Sequence, residues 1–496
     1  MKRWGTRLIT LAGGALATLG FAPWQFWPAP MLALILLALA WQVSLSSREN
    51  FLLGWLWGLG FFGTGISWLD ISLHDFGGMA QWLSVLAILG FAAFLALFPA
   101  LTGLVSSKMH VRPIPRWLLL TPALWTLSEW VRSWLMTGFP WLSLGYAQVP
   151  GPLAGFIPIL GVFGATMTSV MVSGCGVLAL LRLPLRFDSR LLFSALAFLL
   201  LGTGTALRTV PWTHPVGAPL SVNLLQGNIP QDMKFMSESK GLIVQRYNNL
   251  LFNSNGRLIL MPESALPYMR ERMPESYTDA LQTWGYENNS DILMGLFSEP
   301  EREQYYNSVF SFGHSPMQEY HKVHLVPFGE FIPFESWLAP LIHEVLNIPL
   351  DSQQRGAPDQ PPMRVAGQWV GVDICYEDAF GDQIRHVLPQ ATLLANFTND
   401  AWFGDSMEAE QHLQMAAARS LESGRPMLRV TNTGVSAIID VRGETLARAP
   451  RGEIFNLSGT ITGYAGSTPF VRMGNYGILV ICLVALMFPL LWRSRP

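Results

Sequence analysis

Three short segments carry the side chains with the most chemical potential, and each sits at or near the end of a run that reads as a β-strand. They are MPESA (261–265), YHKVHLVPFGE (320–330) and ICYED (374–378). Glu263 follows an apolar run and a proline, Lys322 precedes the rigid turn Pro327-Phe328-Gly329-Glu330, and Cys375 closes a buried apolar strand. α/β enzymes keep their chemistry at strand ends, and a carboxylate, an ammonium and a thiol together suit nucleophilic acyl transfer. A thiol is a weak nucleophile until it loses its proton, so Cys375 needs a base such as Glu263 within hydrogen-bond reach. Attack on a carbonyl builds negative charge on oxygen. A fixed ammonium from Lys322, helped by a backbone N–H near Tyr376, would stabilise that charge, and the same cation favours the thiolate.

The competing reading of Cys375 is a buried structural thiol, the usual fate of an isolated free cysteine. Of the three cysteines, Cys175 and Cys482 fall inside apolar spans, so Cys375 is the only thiol in the part of the chain that reads as soluble. Three cysteines cannot form a disulfide framework, and none has a Cys/His spacing suited to zinc. His321 and His324 lie three apart with no third ligand and read as packing or hydrogen-bonding residues. Neither a structural metal nor a cofactor is expected.

The elements that must position these residues begin at Ser221. Short β-type runs bounded by turn residues follow one another: Val222–Leu225, Leu258–Met261, Ile292–Phe297, Ser308–Phe312, Val370–Ile374, Leu393–Phe397, Leu428–Thr431 and Val435–Ile439. Stretches with helical periodicity, Lys240–Leu251, Tyr277–Trp284 and Glu408–Glu422, intervene between several of them. The pattern predicts an α/β layered domain.

The rest of the chain avoids water. Half of the 496 residues are hydrophobic and 13% are charged, against about 25% charged in ordinary soluble domains. Residues 1–210 hold only 17 of the 66 charged side chains. Seven apolar stretches there approach the roughly 20 residues that a membrane-spanning helix needs: Leu8–Phe21, Pro30–Leu45, Phe51–Trp68, Trp82–Val105, Trp117–Met136, Ile157–Leu181 and Leu191–Leu207. An eighth, Tyr476–Trp492, closes the chain. The division expected is a membrane domain over 1–210, a soluble domain over 211–473 and a C-terminal span over 474–496. A net charge of −2 argues against a nucleic-acid partner, which calls for a basic patch.

Lys and Arg set the expected orientation, because cytoplasmic loops collect positive charge. They cluster before the first span (Lys2, Arg3, Arg7), after the second (Arg48), the fourth (Lys108, Arg112, Arg116), the sixth (Arg182, Arg186, Arg190) and the eighth (Arg493, Arg495). Both termini would be cytoplasmic and the soluble domain would lie outside. In a bacterium with two membranes that means the periplasm, an oxidising space in which a lone unpaired thiol is better explained by chemistry. Glu129 and Arg132, three apart on one helix face, can neutralise each other. Intramembrane charges are functional by default, but a structural ion pair is the stronger reading here. The loop Gly138–Gly155 reads as lying at the outer interface, where Trp and Tyr concentrate.

The three reactive segments resemble the Glu-Lys-Cys signature of the nitrilase (carbon-nitrogen hydrolase) superfamily, and the whole chain resembles the apolipoprotein N-acyltransferase family. QGNIPQ (226–231), LVPFGEFIP (325–333), NDAWFG (399–404), Gln411-His412 and RPMLRVTNTG (425–434) extend the match. The resemblance implies a polytopic membrane domain of about eight helices bearing a periplasmic nitrilase-like αββα sandwich at the bacterial inner membrane. It implies a ping-pong reaction. Cys375 would take the sn-1 acyl chain of a phospholipid, typically phosphatidylethanolamine, as a thioester, and the α-amino group of an apolipoprotein's diacylglyceryl-cysteine would then attack it. It further implies supporting or substrate-binding roles for Glu330, which would orient Lys322, for Tyr376 and Glu377 beside the nucleophile, and for Trp402 and Asn399. Phe235 stands where that family usually has tryptophan, so an aromatic contact there would lack an N–H donor.

Both substrates would be bilayer-anchored, which predicts a catalytic pocket open to the membrane plane with apolar arms, either Phe334–Pro349 or the loop Gly138–Gly155. Two other functions are compatible with parts of the sequence. A membrane-tethered amidase or nitrilase would use the same triad with water as acceptor. A transporter with a ligand-binding outer domain would show repeated halves and paired broken helices, which are not evident.

Overall fold

The computed structural model describes the chain except Met1, Leu45, Arg182, Arg186, Phe187, Phe235, 334–351 and 489–496. Phe235, the apolar stretch 334–349 and four of the basic residues used for orientation (Arg182, Arg186, Arg493, Arg495) therefore lie outside the described residues. The chain forms two compact units. One comprises Met1–His74, Ala80–Pro211 and Thr468–Pro496; the other comprises Asp75–Met79 and Trp212–Ser467.

The first unit is helical: α1 Lys2–Ala17, α2 Pro28–Val43, α3 Ser47–Gly65, α4 Gln81–Leu95, α5 Leu97–Lys108, α6 Thr121–Arg132, α7 Ile157–Leu181 and α8 Ser189–Leu207, with a C-terminal helix Tyr476–Met487. Among the described residues three helical stretches, Gln81–Lys108, Pro152–Leu181 and Ser189–Leu207, are long and apolar enough to cross a membrane, while Pro28–Val43 and Tyr476–Met487 are shorter apolar helices. On α8, Leu191, Phe198 and Leu199 are 72%, 73% and 64% exposed; an apolar face of this kind suits lipid rather than water.

Small residues bring the helices together. A Cβ on Gly14 of α1 would lie 1.9 Å from the Trp57 carbonyl of α3, and one on Gly58 of α3 would lie 2.7 Å from the Ala96 Cα. Where lipid removes the hydrophobic drive between helices, close backbone approach of this sort supplies the packing.

Glu129 and Arg132 hold the segment that follows α6. Arg132 Nη1 donates to the carbonyls of Phe139 (2.5 Å) and Trp141 (2.7 Å), and its Nη2 donates to Ser143 Oγ (3.1 Å). Glu129 Oε1 accepts from Leu144 N and Trp125 Nε1, both at 3.1 Å, and its Oε2 accepts from Thr166 Oγ1 at 2.7 Å. These charges satisfy backbone groups of a non-helical stretch, as non-aqueous surroundings require. Residues 141–149 are buried within this unit, which corrects the expectation that the loop Gly138–Gly155 forms an exposed apolar arm. The tethered backbone turns its aromatic side chains inward.

The second unit contains two six-stranded sheets. The strands are β1 Thr213–Gln226, β2 Leu258–Met261, β3 Asp291–Ser298, β4 Tyr306–Gly313, β5 Glu319–His321, β6 Met363–Val365, β7 Gln368–Ile374, β8 Leu393–Thr398, β9 Met427–Thr431, β10 Ala437–Ile439, β11 Thr445–Arg448 and β12 Phe455–Gly466. The sheet orders are β12-β1-β2-β3-β4-β5 and β11-β10-β9-β8-β7-β6. Each has a parallel centre, β1-β2-β3 and β7-β8-β9, flanked by antiparallel strands.

Strand periodicity builds the layers, since alternate side chains face opposite sides. Leu224, Leu258, Leu260 and Leu293 share one core with Val370, Val372, Ile374, Ala395, Phe397 and Val430 of the other sheet. Their neighbours Leu225, Ile259, Met261, Ile292 and Met294 form a second core with Ile243, Tyr247 and Leu251 of α9 (Lys240–Phe252) and Leu281 of α10 (Glu275–Glu287). Another long helix of this unit, α11 (Glu408–Ser423), is buried along its length. All eight runs expected from the sequence contain strands, although the run from Val435 is strand only from Ala437.

Candidate active site

Glu263 stands two residues past β2, Lys322 immediately past β5 and Cys375 immediately past β7. Pairing of β4 with β5 sets the second of these: Ser308 faces His321, and Lys322 N donates to the Asn307 carbonyl at 2.8 Å. Lys322 is fully buried. Its Nζ donates to Glu330 Oε1 at 2.7 Å and lies 3.6 Å from Glu263 Oε1. Asn307 Nδ2 bridges the two carboxylates, at 2.6 Å from Glu263 Oε1 and 3.4 Å from Glu330 Oε1. Glu330 Oε2 accepts from Val326 N at 2.8 Å, so the Pro-Phe-Gly-Glu turn is closed on the carboxylate that holds the lysine.

Three non-glycine residues here have left-handed backbones: Ser264 (φ 44°), Phe328 (φ 61°) and Cys375 (φ 53°). Such conformations cost about 1–3 kcal/mol each and persist where surroundings over-determine them. At Cys375 the surroundings are explicit. Its carbonyl lies 3.1 Å from Asn396 Nδ2, which donates to it, and 3.2 Å from His412 Nε2.

Glu377 fastens the nucleophile to the lysine. Its Oε1 accepts from Val323 N (2.7 Å), His324 N (2.9 Å) and Gln383 Nε2 (2.7 Å), and its Oε2 accepts from Ile374 N (2.7 Å) and Tyr320 Oη (2.9 Å). One buried carboxylate thus ties the residue before Cys375 to the residues flanking Lys322. Tyr376 is buried, with its ring edge-on to Phe380. His324 stacks on Phe380 and His321 Nδ1 lies 2.7 Å from Ser308 Oγ, the packing and hydrogen-bonding roles expected of them.

The electrostatics suit a base, a cation and a thiol. Burial raises the Glu263 carboxyl, and Glu330 adds to that rise while Lys322 opposes it. Burial works against the Lys322 ammonium, but Glu330 and Glu263 outweigh it and hold the group above its ordinary value. Burial, then Glu263, pushes the Cys375 thiol up to about 12, against the pull of Lys322 and His412. A thiol this reluctant needs its proton taken by a partner during attack.

Beneath Cys375 lies a buried ionic network that the sequence reading missed. Arg429 Nη1 donates to Asn396 Oδ1 (2.6 Å) and to Asp378 Oδ2 (3.3 Å), and its Nη2 donates to Asp400 Oδ2 (3.2 Å). His412 Nε2 lies 3.0 Å from Asp378 Oδ1, and its Nδ1 lies 3.3 Å from both Asp400 Oδ1 and Glu408 Oε1. Burial works against the Asp400 carboxylate, but Arg429 and His412 hold it down at about 2. Burial and Asp400 lift Glu408 to about 7.

Asp400, Glu408 and His412 offer atoms close enough together to hold a metal. The Arg429 guanidinium already supplies positive charge to this group, so the donor set reads as an ion-pair network. His412 and Arg429 stand inside motifs that the sequence singles out, yet nothing local in those motifs announces a buried pair. Lys234 was also missed. It is buried, and its Nζ donates to the Glu263 carbonyl at 3.3 Å.

The structure brings together Glu263, Lys322 and Glu330, with Glu377 bonding to segments that carry Lys322 and Cys375. Asn399 hydrogen-bonds to two buried side chains: its Nδ2 donates to Gln231 Oε1 (3.1 Å) and its Oδ1 accepts from Asn432 Nδ2 (2.9 Å). Trp402 is 41% exposed and meets the Phe76 ring edge-on at 5.9 Å.

Comparison with known proteins agrees with this architecture. The family profile described as "Apolipoprotein N-acyltransferase N-terminal domain" matches residues 13–175, and that described as "Carbon-nitrogen hydrolase" matches 225–469. The chain is 45% identical over 484 residues to a Nitrosomonas europaea protein named apolipoprotein N-acyltransferase, covering 97% of this chain and 96% of that one. It is 40% identical to proteins of the same name from Ralstonia nicotianae (97% of this chain, 92% of that one) and Methylococcus capsulatus (96% and 94%).

Proposed function

The chain belongs to the apolipoprotein N-acyltransferase family, and we propose that its transfer of an acyl chain to lipoproteins runs through Cys375, with Glu263 as base and Lys322 facing the oxyanion. In the first half-reaction Glu263 takes the Cys375 proton as sulfur attacks the ester carbonyl of the lipid donor. The C–S bond forms, and the charge on the carbonyl oxygen is met by the Lys322 ammonium. The C–O bond then breaks, and Glu263 returns the proton to the departing lysolipid oxygen.

In the second half-reaction the lipoprotein's α-amino nitrogen attacks the thioester and gives a proton to Glu263. The C–S bond breaks, and that proton goes to the sulfur. Glu330 orients Lys322, Glu377 holds the nucleophile's strand end to the lysine segment, and Trp402 lines the approach. Phe235 and Asn399 are assigned supporting or substrate-binding roles rather than a part in the chemistry.

The observation that carries this reading is the Lys322 ammonium at one strand end lying between Glu263 at a second and Glu330 of the turn, with a left-handed cysteine at a third strand end. The donor is proposed to be phosphatidylethanolamine and the acceptor the diacylglyceryl-cysteine of an apolipoprotein. The apolar stretches support eight spans over 1–210 and 474–496, and the distribution of Lys and Arg supports cytoplasmic termini and a periplasmic catalytic domain over 211–473 at the inner membrane. Lipid-anchored substrates cost about 0.8 kcal/mol per buried methylene to extract, so the enzyme has to meet them at the bilayer.

The test is to incubate purified enzyme with acyl-labelled phosphatidylethanolamine. A hydroxylamine-labile label on the Cys375 peptide with equimolar lysophospholipid is expected, and its loss in Cys375→Ala. N-acylation that persists in Cys375→Ala overturns the proposal, as does ammonia release from a small amide without any lysophospholipid.

A further inference from the structure

Glu263 and Glu330 face each other across one cation. Lys322 Nζ is 2.7 Å from Glu330 and 3.6 Å from Glu263, so it serves Glu330 more closely, and the three groups together carry one uncompensated negative charge when both carboxylates are ionised. A second ammonium lies close by. Lys234 closes the helical turn Gln231–Lys234, is 3% exposed, and donates from Nζ to the Glu263 carbonyl at 3.3 Å.

Among the described residues that is its single hydrogen bond, and no carboxylate lies within ion-pair distance of it. Burying an ammonium with most of its donors unspent is costly, and perturbed buried charges cluster where chemistry occurs. The carbonyl it holds belongs to the peptide leading into Ser264, one of the left-handed residues of the site (φ 44°).

We propose that Lys234 is a positioning residue for Glu263: it pins the backbone that carries the carboxylate and supplies the second positive charge that brings the Glu263–Lys322–Glu330 cluster to neutrality. The proposal deepens the acyl-transfer reading and rests on Glu263 being the base. Burial brings the Lys234 ammonium down to about 8, with Glu263 pulling it back up, and Lys234 in turn favours the ionised form of Glu263. The groups facing Glu263 are Lys322 from the segment after β5, Glu330 from the turn, Asn307 from β4, the Cys375 thiol after β7 and Lys234 itself. Of the two positive neighbours among the described residues, Lys234 is thus the one that does not also bind Glu330.

The sign of the effect follows. The base acts as a carboxylate, so loss of a neighbouring positive charge raises its pKa and moves the acid limb of the rate profile upward. Lys234→Gln keeps a donor for the Glu263 carbonyl and removes the charge; Lys234→Arg keeps the charge. Single-turnover thioester formation on the full-length enzyme, with labelled phosphatidylethanolamine from pH 5 to 9, reads the limb directly.

In Lys234→Gln the limb should move up by about one pH unit, a roughly tenfold extra loss at its acid end, while Lys234→Arg stays close to the parent limb. An unmoved limb in Lys234→Gln, with the rate lowered uniformly, overturns the charge role and leaves only packing. If Lys234→Gln does not fold, Lys234→Met is read by the same criterion. Glu263→Gln separates the two claims: if it retains the parental rate and limb, Glu263 is not the base and the underlying reading falls first.

Discussion

Replacing Glu377 by glutamine changes one atom and should cost the enzyme both stability and activity. Five donors converge on this fully buried carboxylate: Val323 N, His324 N and Gln383 Nε2 on one oxygen, Ile374 N and Tyr320 Oη on the other. The less damaging orientation of the amide sets its NH2 against the pair. Tyr320 can turn its hydroxyl to accept, but the Ile374 N–H then faces another donor and is orphaned, at about 1–3 kcal/mol. The three bonds on the other oxygen lose their charge assistance, roughly 1 kcal/mol apiece.

The total is about 4–6 kcal/mol, from which the relief of no longer burying a charge is subtracted, since burial is the largest influence on this carboxyl and raises it. For a unit of this size each kcal/mol is worth about 2–4 °C, so the thermal midpoint in detergent should fall by about 10 °C. The orphaned N–H belongs to the residue before Cys375, so thioester formation should drop at least 100-fold even well below the melting temperature. A Glu377→Gln enzyme that melts within 2–3 °C of the parent and forms thioester at the parental rate would refute the inference that this carboxylate couples the nucleophile to the lysine segment.

Two further outcomes follow from the packing and the charges. His412 is held well above its ordinary value of 6.5 despite burial, because Asp378 and Asp400 favour its charged form, and Glu408 is raised to about 7. Groups with raised folded values stabilise fully below their unfolded values and lose that contribution as pH rises, so the melting temperature of Cys375→Ala should decline from pH 6 to 9; His412→Gln should flatten that decline, and an unchanged slope would contradict the assignment. In the helical unit, Gly58→Leu places side-chain atoms where Ala96 Cα already sits 2.7 Å from the position of a Cβ; folded yield in detergent should collapse, whereas Gly63→Leu, which meets nothing within 4 Å, should be tolerated.

The reactive residues were legible because catalysis demands particular side chains at strand ends, and strand ends are visible where apolar runs stop. Glu263 and Cys375 announce themselves this way, after runs that correspond to β2 and β7, whereas Lys322 is marked by the Pro-Phe-Gly-Glu turn that follows it. β5, β6 and β11 were not legible: each is three or four residues that include a charge (Glu319, Arg364, Arg448), so none shows the continuous apolar run that marks the equally short β2 and β10. β12 was missed because Asn456, Ser458 and Thr460 make it read as polar, although they stand opposite β1. The membrane character is compositional and needs no coordinates. The inward burial of 141–149 depends on which carbonyls Arg132 reaches, and spacing along α6 does not give that.

By itself the sequence determined which chemistry is available, that it sits on an α/β scaffold, and that long apolar helices accompany it. These are matters of residue type and period, which are local. Only the tertiary structure decided which charges share a partner: that Lys322 lies between Glu263 and Glu330, that Glu377 serves as a clamp, and that His412 and Arg429 neutralise carboxylates under the nucleophile. Lys234 shows the difference most plainly, since nothing in QDMK marks its lysine until the fold buries the ammonium against the Glu263 backbone. Coulomb energies depend on separation in space and on the surrounding dielectric, and a linear chain specifies neither until it has folded.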